Sequence, residues 1–131
     1  MLQLQSTFHR SYIPSVSWLV EYTDEFESWW NELSEEAQEE IAAKVELLEE
    51  RGPVLPRPHS DVIKTSRHAN MKELRADFND HHLRVLYAFD PRRAAILLIG
   101  GDKTGDPKWY DRHVPIADEL FERHLKSVEQ K

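Results

Sequence analysis

Cysteine is absent from this chain of 131 residues, and this absence excludes a disulfide scaffold, a thiol nucleophile and a thiolate metal site. No apolar run approaches the roughly 20 residues that a transmembrane helix needs. The N-terminal sequence MLQLQSTFHRSYIPS lacks the basic start and the long apolar stretch of a secretory signal peptide. We therefore expect a cytoplasmic protein that has no membrane partner.

Positive charge is scarce in the first part of the chain. Residues 1–52 carry three cations and twelve acidic residues, a net formal charge of −9, whereas residues 53–131 carry fourteen cations and twelve acids, a net of +2. Charges are screened beyond about 8–10 Å at physiological salt, so a mildly basic sheet can lie beside an acidic helical face. With 40% apolar residues, the chain can bury the core of one domain.

The spacing of apolar residues predicts a helical hairpin. Between residues 26 and 48, large apolar side chains recur every three or four positions, which is the period of one helix face. Ser34, followed by two glutamates, is typical of a new N-cap. We therefore expect two helices, over about 24–33 and 35–51, rather than one long helix. The glycine and proline that follow Arg51 end the second helix.

Four runs rich in β-forming residues predict strands at 17–22, 72–78, 83–89 and 94–99. In the second run, Glu73, Arg75 and Asp77 alternate with apolar residues and share one face. Two turns, at Asn79-Asp80 and at Asp90-Pro91, connect the last three runs into a meander. The final run is apolar on both faces, which favours a central strand that is covered on both sides.

A C-terminal helix is predicted to begin at Pro115, after an irregular loop over residues 100–109. The order of elements predicts an α+β fold, in which the helical hairpin and the C-terminal helix pack on one face of a small, curved, mainly antiparallel sheet. We expect residues 17–131 to form one domain, preceded by an N-terminal extension, residues 1–16, that no pattern assigns to an element.

Two sequence patterns are similar to cofactor-binding or metal-binding motifs, but neither has the residues or the geometry that such a site requires. The sequence GGDKTG at residues 100–105 is similar to a phosphate-binding loop, but it lacks the Gly-Lys-Ser/Thr of a nucleotide site. His81 and His82 are adjacent and would point apart on an extended backbone, so they do not form a metal-ligand pair. We expect neither a metal nor an organic cofactor.

The remaining chemistry lies in cations around the predicted sheet. Arg75 could be a solvated residue paired with neighbouring acids, whereas Arg84 has apolar neighbours on its strand face and needs a partner. Trp109 and Tyr110 could stack on bases or pack on the core. From the residues alone, the pattern indicates an α+β domain with a possible anion or RNA site, and leaves the choice open.

Three segments resemble a known family. They are SRHANMKELR at residues 66–75, RVLYAFDPRR at 84–93 and GDKTG at 101–105. Together they resemble phage-derived toxins of the RelE/ParE superfamily, in the HigB-like branch of type II toxin–antitoxin systems. The resemblance extends from Ser17 to Leu125 and includes the helical hairpin.

This resemblance implies a RelE-like fold and a cognate helix-turn-helix antitoxin. The protein itself would contact DNA only indirectly, through that antitoxin. Relatives of this kind are metal-independent endoribonucleases that cleave messenger RNA on the ribosome, where the 2′-hydroxyl attacks the neighbouring phosphate and leaves a 2′,3′-cyclic phosphate. The implied partners are therefore the antitoxin, the ribosome and mRNA. Two alternatives are a ParE-like inhibitor of DNA gyrase and a non-catalytic module that only binds an antitoxin.

The resemblance also implies roles for individual residues. Arg75 and Arg84 would bind the scissile phosphate, and Lys103 would neutralise the charge of the transition state. Tyr110 or His113 would act as the acid–base group. Further contacts with RNA are expected from Lys72, Lys108, Trp109 and Arg112.

Overall fold

The computed structural model describes residues 17–129, so the predicted N-terminal extension lies outside the described residues. Within this range the chain forms five strands and three α-helices. In chain order these are β1 (Val20–Tyr22), α1 (Asp24–Glu32), α2 (Glu35–Arg51), β2 (Ser60–Val62), β3 (Lys72–Phe78), β4 (His81–Phe89), β5 (Ala95–Asp102) and α3 (Trp109–Glu129).

The strands form one mixed sheet in the order β1-β5-β4-β3-β2. β3, β4 and β5 form the predicted antiparallel meander, and β2 extends it antiparallel to β3. β1 pairs in parallel with β5, so β5 lies inside the sheet as its apolar sequence predicted. The predicted α+β fold is confirmed.

The helical hairpin follows local capping signals. The side-chain oxygens of Thr23 and Ser34 accept the backbone N–H groups of Phe26 and Ala37, at 3.0 and 3.1 Å, and so begin α1 and α2. Gly52 ends α2 with a φ of 58°, and a Cβ atom there would lie 2.3 Å from the Trp18 ring. Only glycine fits both the backbone conformation and the close approach of this ring.

Helices cover both faces of the sheet, so the prediction that they all lie on one face is wrong. The hairpin packs on the face that carries Leu74, Val85 and Leu97. α3 packs on the opposite face, against a second buried cluster that includes Leu86 and Leu98. The physical reason is that β4 and β5 are apolar on both sides, and each side must be removed from water.

The segment from β5 to α3 also differs from the prediction. β5 continues through Gly100 and Gly101 to Asp102, and α3 begins at Trp109, with Pro115 inside the helix. A Cβ atom on Gly101 would lie 2.6 Å from Nε1 of Trp109, so the indole packs directly on the β5 backbone. This packing anchors the helix before Pro115. No helix within residues 17–129 is long and apolar enough to cross a membrane.

Candidate active site on three neighbouring strands

A row of positions across β3, β4 and β5 forms the floor of the candidate site. Arg75 lies opposite Arg84, and Arg84 lies opposite Gly101. Two residues away from the Arg84–Gly101 pair along both chains, the backbone N–H of Lys103 donates to the carbonyl oxygen of His82 at 2.9 Å. Side chains two residues apart on a strand share a face, so Arg75, Arg84 and Lys103 lie on the face that α3 covers.

A buried carboxylate connects this row to the start of α3. Glu73 is only 2% exposed, and it accepts hydrogen bonds from the Tyr110 hydroxyl at 2.7 Å and from Nε of Arg75 at 3.0 Å. Its other neighbour is Nε of Arg84, at 3.6 Å. Sequence reasoning missed this role and treated Glu73 as a surface partner of Arg75. The sequence did contain a signal for this role, because Glu73 is close to two arginines on a predicted sheet face that also carries apolar residues.

Arg84 lies below the surface of the site, with 5% of its area exposed. Its Nη1 donates to Oδ1 of Asp77 at 2.6 Å and to the carbonyl of Leu83 at 2.9 Å. Burial disfavours the charged guanidinium, but Asp77 and Tyr110 beside it outweigh that effect and raise the pKa of Arg84. Its Nε is a buried donor without a hydrogen-bond partner among the described residues. Arg84 therefore supplies a fixed positive charge from beneath the site.

Of the three cations in this row, Arg75 and Lys103 are the accessible ones. The side chain of Arg75 is 32% exposed and donates to Oδ2 of Asp61 at 3.0 Å as well as to Glu73. The ammonium of Lys103 lies 5.9 Å from the centroid of the Tyr110 ring, a distance at which a cation and an aromatic face attract each other. Both side chains can reach an anion that approaches from solvent.

Tyr110 and His113 lie one turn apart near the start of α3. Burial, and next the Glu73 carboxylate, raise the pKa of Tyr110 to about 12. The phenol is therefore protonated near neutral pH and donates its hydrogen to Glu73. Nδ1 of His113 lies 2.8 Å from the carbonyl oxygen of Trp109, and its ring stacks on the Trp109 indole at 4.2 Å. Tyr110 thus lies beside the cations, whereas His113 packs on Trp109.

Two of the residues predicted to contact RNA lie elsewhere. Lys72 shares the hairpin face of β3 with Leu74, and its ammonium donates to the carbonyl of Pro53 at 2.7 Å. Trp109 is 2% exposed and belongs to the core under α3, which corresponds to the core-packing alternative that the sequence left open. Lys108 and Arg112 are exposed at the start of α3, where Arg112 forms an ion pair with Asp106.

The two neighbouring histidines of β4 point to opposite faces. Nδ1 of His81 lies 2.7 Å from Oδ2 of Asp102 on the hairpin side, close to the Phe78 ring. Nδ1 of His82 lies 3.2 Å from Oδ1 of Asp77 on the α3 side. Within residues 17–129, no group of three or more histidine or carboxylate side chains could hold a metal ion.

Comparisons with known proteins agree with the resemblance inferred from the sequence. Residues 28–122 match the family model described as "Phage derived protein Gp49-like (DUF891)". Two relatives come from Mycobacterium tuberculosis (strain ATCC 25618 / H37Rv). The chain is 43% identical to "Putative toxin HigB2" over 117 residues, which are 88% of this chain but only 58% of that protein. It is 46% identical to "Putative toxin HigB3" over 102 residues, which are 77% of this chain and 88% of that protein. The predicted phage-derived, HigB-like relationship is confirmed, and the chain belongs to the Gp49-like family of phage-derived proteins.

Proposed function

We propose that this protein is the toxin of a toxin–antitoxin pair and that it cleaves messenger RNA on the ribosome, in the cytoplasm. The names of its relatives support the toxin role. The observation that carries the nuclease proposal is the cation cluster, in which Arg75, Arg84 and Lys103 share one face of three strands beside Tyr110. A cognate helix-turn-helix antitoxin neutralises the toxin and makes all contacts with DNA.

The cluster suits one phosphate group. Arg75 and Lys103 contact the non-bridging oxygens from the accessible side, and Arg84 adds its charge from beneath. In the free protein, Glu73 and Asp61 hold the Arg75 guanidinium in place. When RNA binds, its phosphate takes over part of this pairing. Fixed cations stabilise the charge that develops on the phosphoryl oxygens, and each contributes about 10²–10³ in rate, by analogy with an oxyanion-hole donor.

The reaction needs no metal. The 2′-oxygen forms a bond to phosphorus while the bond from phosphorus to the 5′-oxygen breaks, and the products are a 2′,3′-cyclic phosphate and a 5′-hydroxyl. Tyr110, with its pKa of about 12, keeps its proton at neutral pH and can give it to the departing 5′-oxygen. We assign this acid role to Tyr110 rather than to His113, because the Tyr110 hydroxyl reaches the centre of the cluster.

The test uses purified protein and ribosomes programmed with a defined mRNA. Cuts are mapped, and the new 3′ ends are examined for a cyclic phosphate. Lys103→Ala and Arg75→Ala should each slow cleavage by about 10²–10³. Lys126→Ala is the matched control, because Lys126 is an exposed lysine in the last turn of α3 and should leave the rate unchanged.

Other experimental results would support one of the alternative functions. The absence of cuts at micromolar protein would overturn the nuclease proposal. Growth arrest with a supercoiling defect would then favour the gyrase inhibitor, and expression without any growth penalty would favour the non-catalytic binding module. Co-purification with the product of the neighbouring reading frame tests the antitoxin separately from the catalytic proposal.

A further inference from the structure

The candidate site contains an imidazole that the roles assigned so far do not use. His82 precedes Arg84 by two residues on β4, so its side chain lies on the same face of the sheet, about 6.5–7 Å along the strand. On one side it is opposite Asp77 of β3, and on the other its carbonyl pairs with the backbone of Lys103. His82 thus lies between β3, which carries Arg75, and the residue Lys103 that directly follows β5.

Asp77 lies beside this imidazole. Nδ1 of His82 and Nη1 of Arg84 both lie close to Oδ1 of Asp77, at 3.2 and 2.6 Å. In the neutral tautomer that carries its proton on Nδ1, the nitrogen next to Asp77, the acceptor nitrogen Nε2 lies on the other side of the ring. The backbone N–H of His82 donates to Oγ1 of Thr104 at 2.8 Å, which holds the strand against the loop that carries Lys103. The side chain remains 46% exposed, so a substrate can reach it.

We propose that His82 is the catalytic base of the cleavage reaction, an inference that rests on the proposed ribonuclease function. Nε2 of His82 takes the proton of the attacking 2′-hydroxyl as the 2′-oxygen bonds to phosphorus. The electron pair of the broken bond goes to the 5′-oxygen, which takes the proton of Tyr110. Asp77 stabilises the imidazolium that forms, and transfer through water then returns a proton from His82 to Tyr110.

His81 provides the matched control, because it is also a histidine paired with an aspartate, on the opposite face of the same strand. Programmed ribosomes and purified variants are used, and each variant is first shown to melt like the wild type. His82→Ala and His82→Gln should reduce the rate constant of cleavage by about 10²–10⁴, while His81→Ala cleaves normally. Binding of mRNA with a 2′-deoxynucleotide at the cut site should be the same for the His82 variants and the wild type.

Added imidazole distinguishes a proton-transfer role from a structural one. It should restore part of the activity of His82→Ala, but not that of Lys103→Ala, whose defect is a missing charge. His82 variants that cleave as fast as the wild type would overturn the inference and leave the ribonuclease proposal intact. A loss of activity that comes with weaker binding of the deoxy substrate and no rescue by imidazole would also overturn it. If the wild type itself makes no cuts, the proposed function fails and the role of His82 fails with it.

Discussion

Replacing Glu73 with glutamine removes the charge from the centre of the candidate site without changing its shape. The side chain is 3% exposed and is shared by Arg75, Arg84 and the Tyr110 hydroxyl. In the Glu73→Gln variant, the oxygen of the new amide can still accept the Tyr110 hydrogen. The NH₂ group of this amide, however, would face guanidinium donors. The two arginines therefore lose a counter-ion that water cannot replace.

The size of the destabilisation depends on which counter-ions the two arginines keep in the variant. Removing one partner of a buried ion pair costs about 3–5 kcal/mol. Here Arg84 keeps Asp77 at 2.6 Å and Arg75 keeps Asp61 at 3.0 Å, so the loss is smaller. We expect about 1–3 kcal/mol, the cost of an unsatisfied buried polar group. For 131 residues, with an unfolding entropy of about 2.1 cal/mol/K per residue, a loss of about 2 kcal/mol lowers Tm by about 7 °C.

Urea unfolding followed by tryptophan fluorescence measures this change, and the slope m should stay constant while the midpoint falls. NMR of ¹³Cζ-labelled tyrosine gives a second readout. Because Glu73 adds to the effect of burial on Tyr110, the pKa of Tyr110 should fall below its value of about 12 in the variant. Asp106→Asn is the control, because its ion pair with Arg112 is at the surface. An unchanged midpoint together with an unchanged Tyr110 pKa would refute the central role of Glu73.

Two further predictions concern β5 and its end. Gly101→Ala places a Cβ atom 2.6 Å from Nε1 of Trp109 and should cost about 1–3 kcal/mol by overpacking, measured by thermal melting. Gly105→Ala, where the new Cβ meets open space and only the positive φ is strained, should cost less, and the reverse order would contradict the packing. Partial desolvation raises the pKa of Asp102, but hydrogen bonds from Thr104, His81 and the His82 backbone outweigh it and lower this pKa to about 2, from 3.8. Because the pKa of Asp102 is lower in the folded state than in the unfolded state, its carboxylate stabilises the fold above about pH 4, and this stabilisation is lost as the pH falls towards 2. In urea unfolding across this pH range, the free energy of unfolding of Asp102→Asn should therefore depend less on pH than that of the wild type.

The helical hairpin could be predicted from the sequence almost residue by residue. Its helices begin at Thr23 and Ser34, and the second ends at Gly52. Each of these signals acts on backbone groups a few residues away, so it can be interpreted without knowledge of the rest of the fold. The strand alternation around Glu73 and Arg75 is local in the same way, and the structure has the predicted face.

The start of α3 was predicted six residues too late for a reason that is partly local. Asp106 accepts the backbone N–H of Lys108 at 3.1 Å, and Pro107 follows it, which is the pattern of an N-cap and a first-turn proline. Pro115 carries a similar first-turn proline signal. What decides between them is the burial of Trp109 against Gly101, a contact between the helix and a strand that precedes it.

Residue identity and spacing alone therefore determined the helical hairpin with its capping residues, the three-strand meander, the family resemblance and the sharing of a face by alternate residues of β3. Only the tertiary structure decided that α3 covers the face opposite the hairpin, that Arg75 lies across from Arg84, and that Glu73 is buried beside them. The reason is that periodicity and capping depend on neighbours in the chain, whereas strand register and helix placement depend on which apolar faces must leave water together.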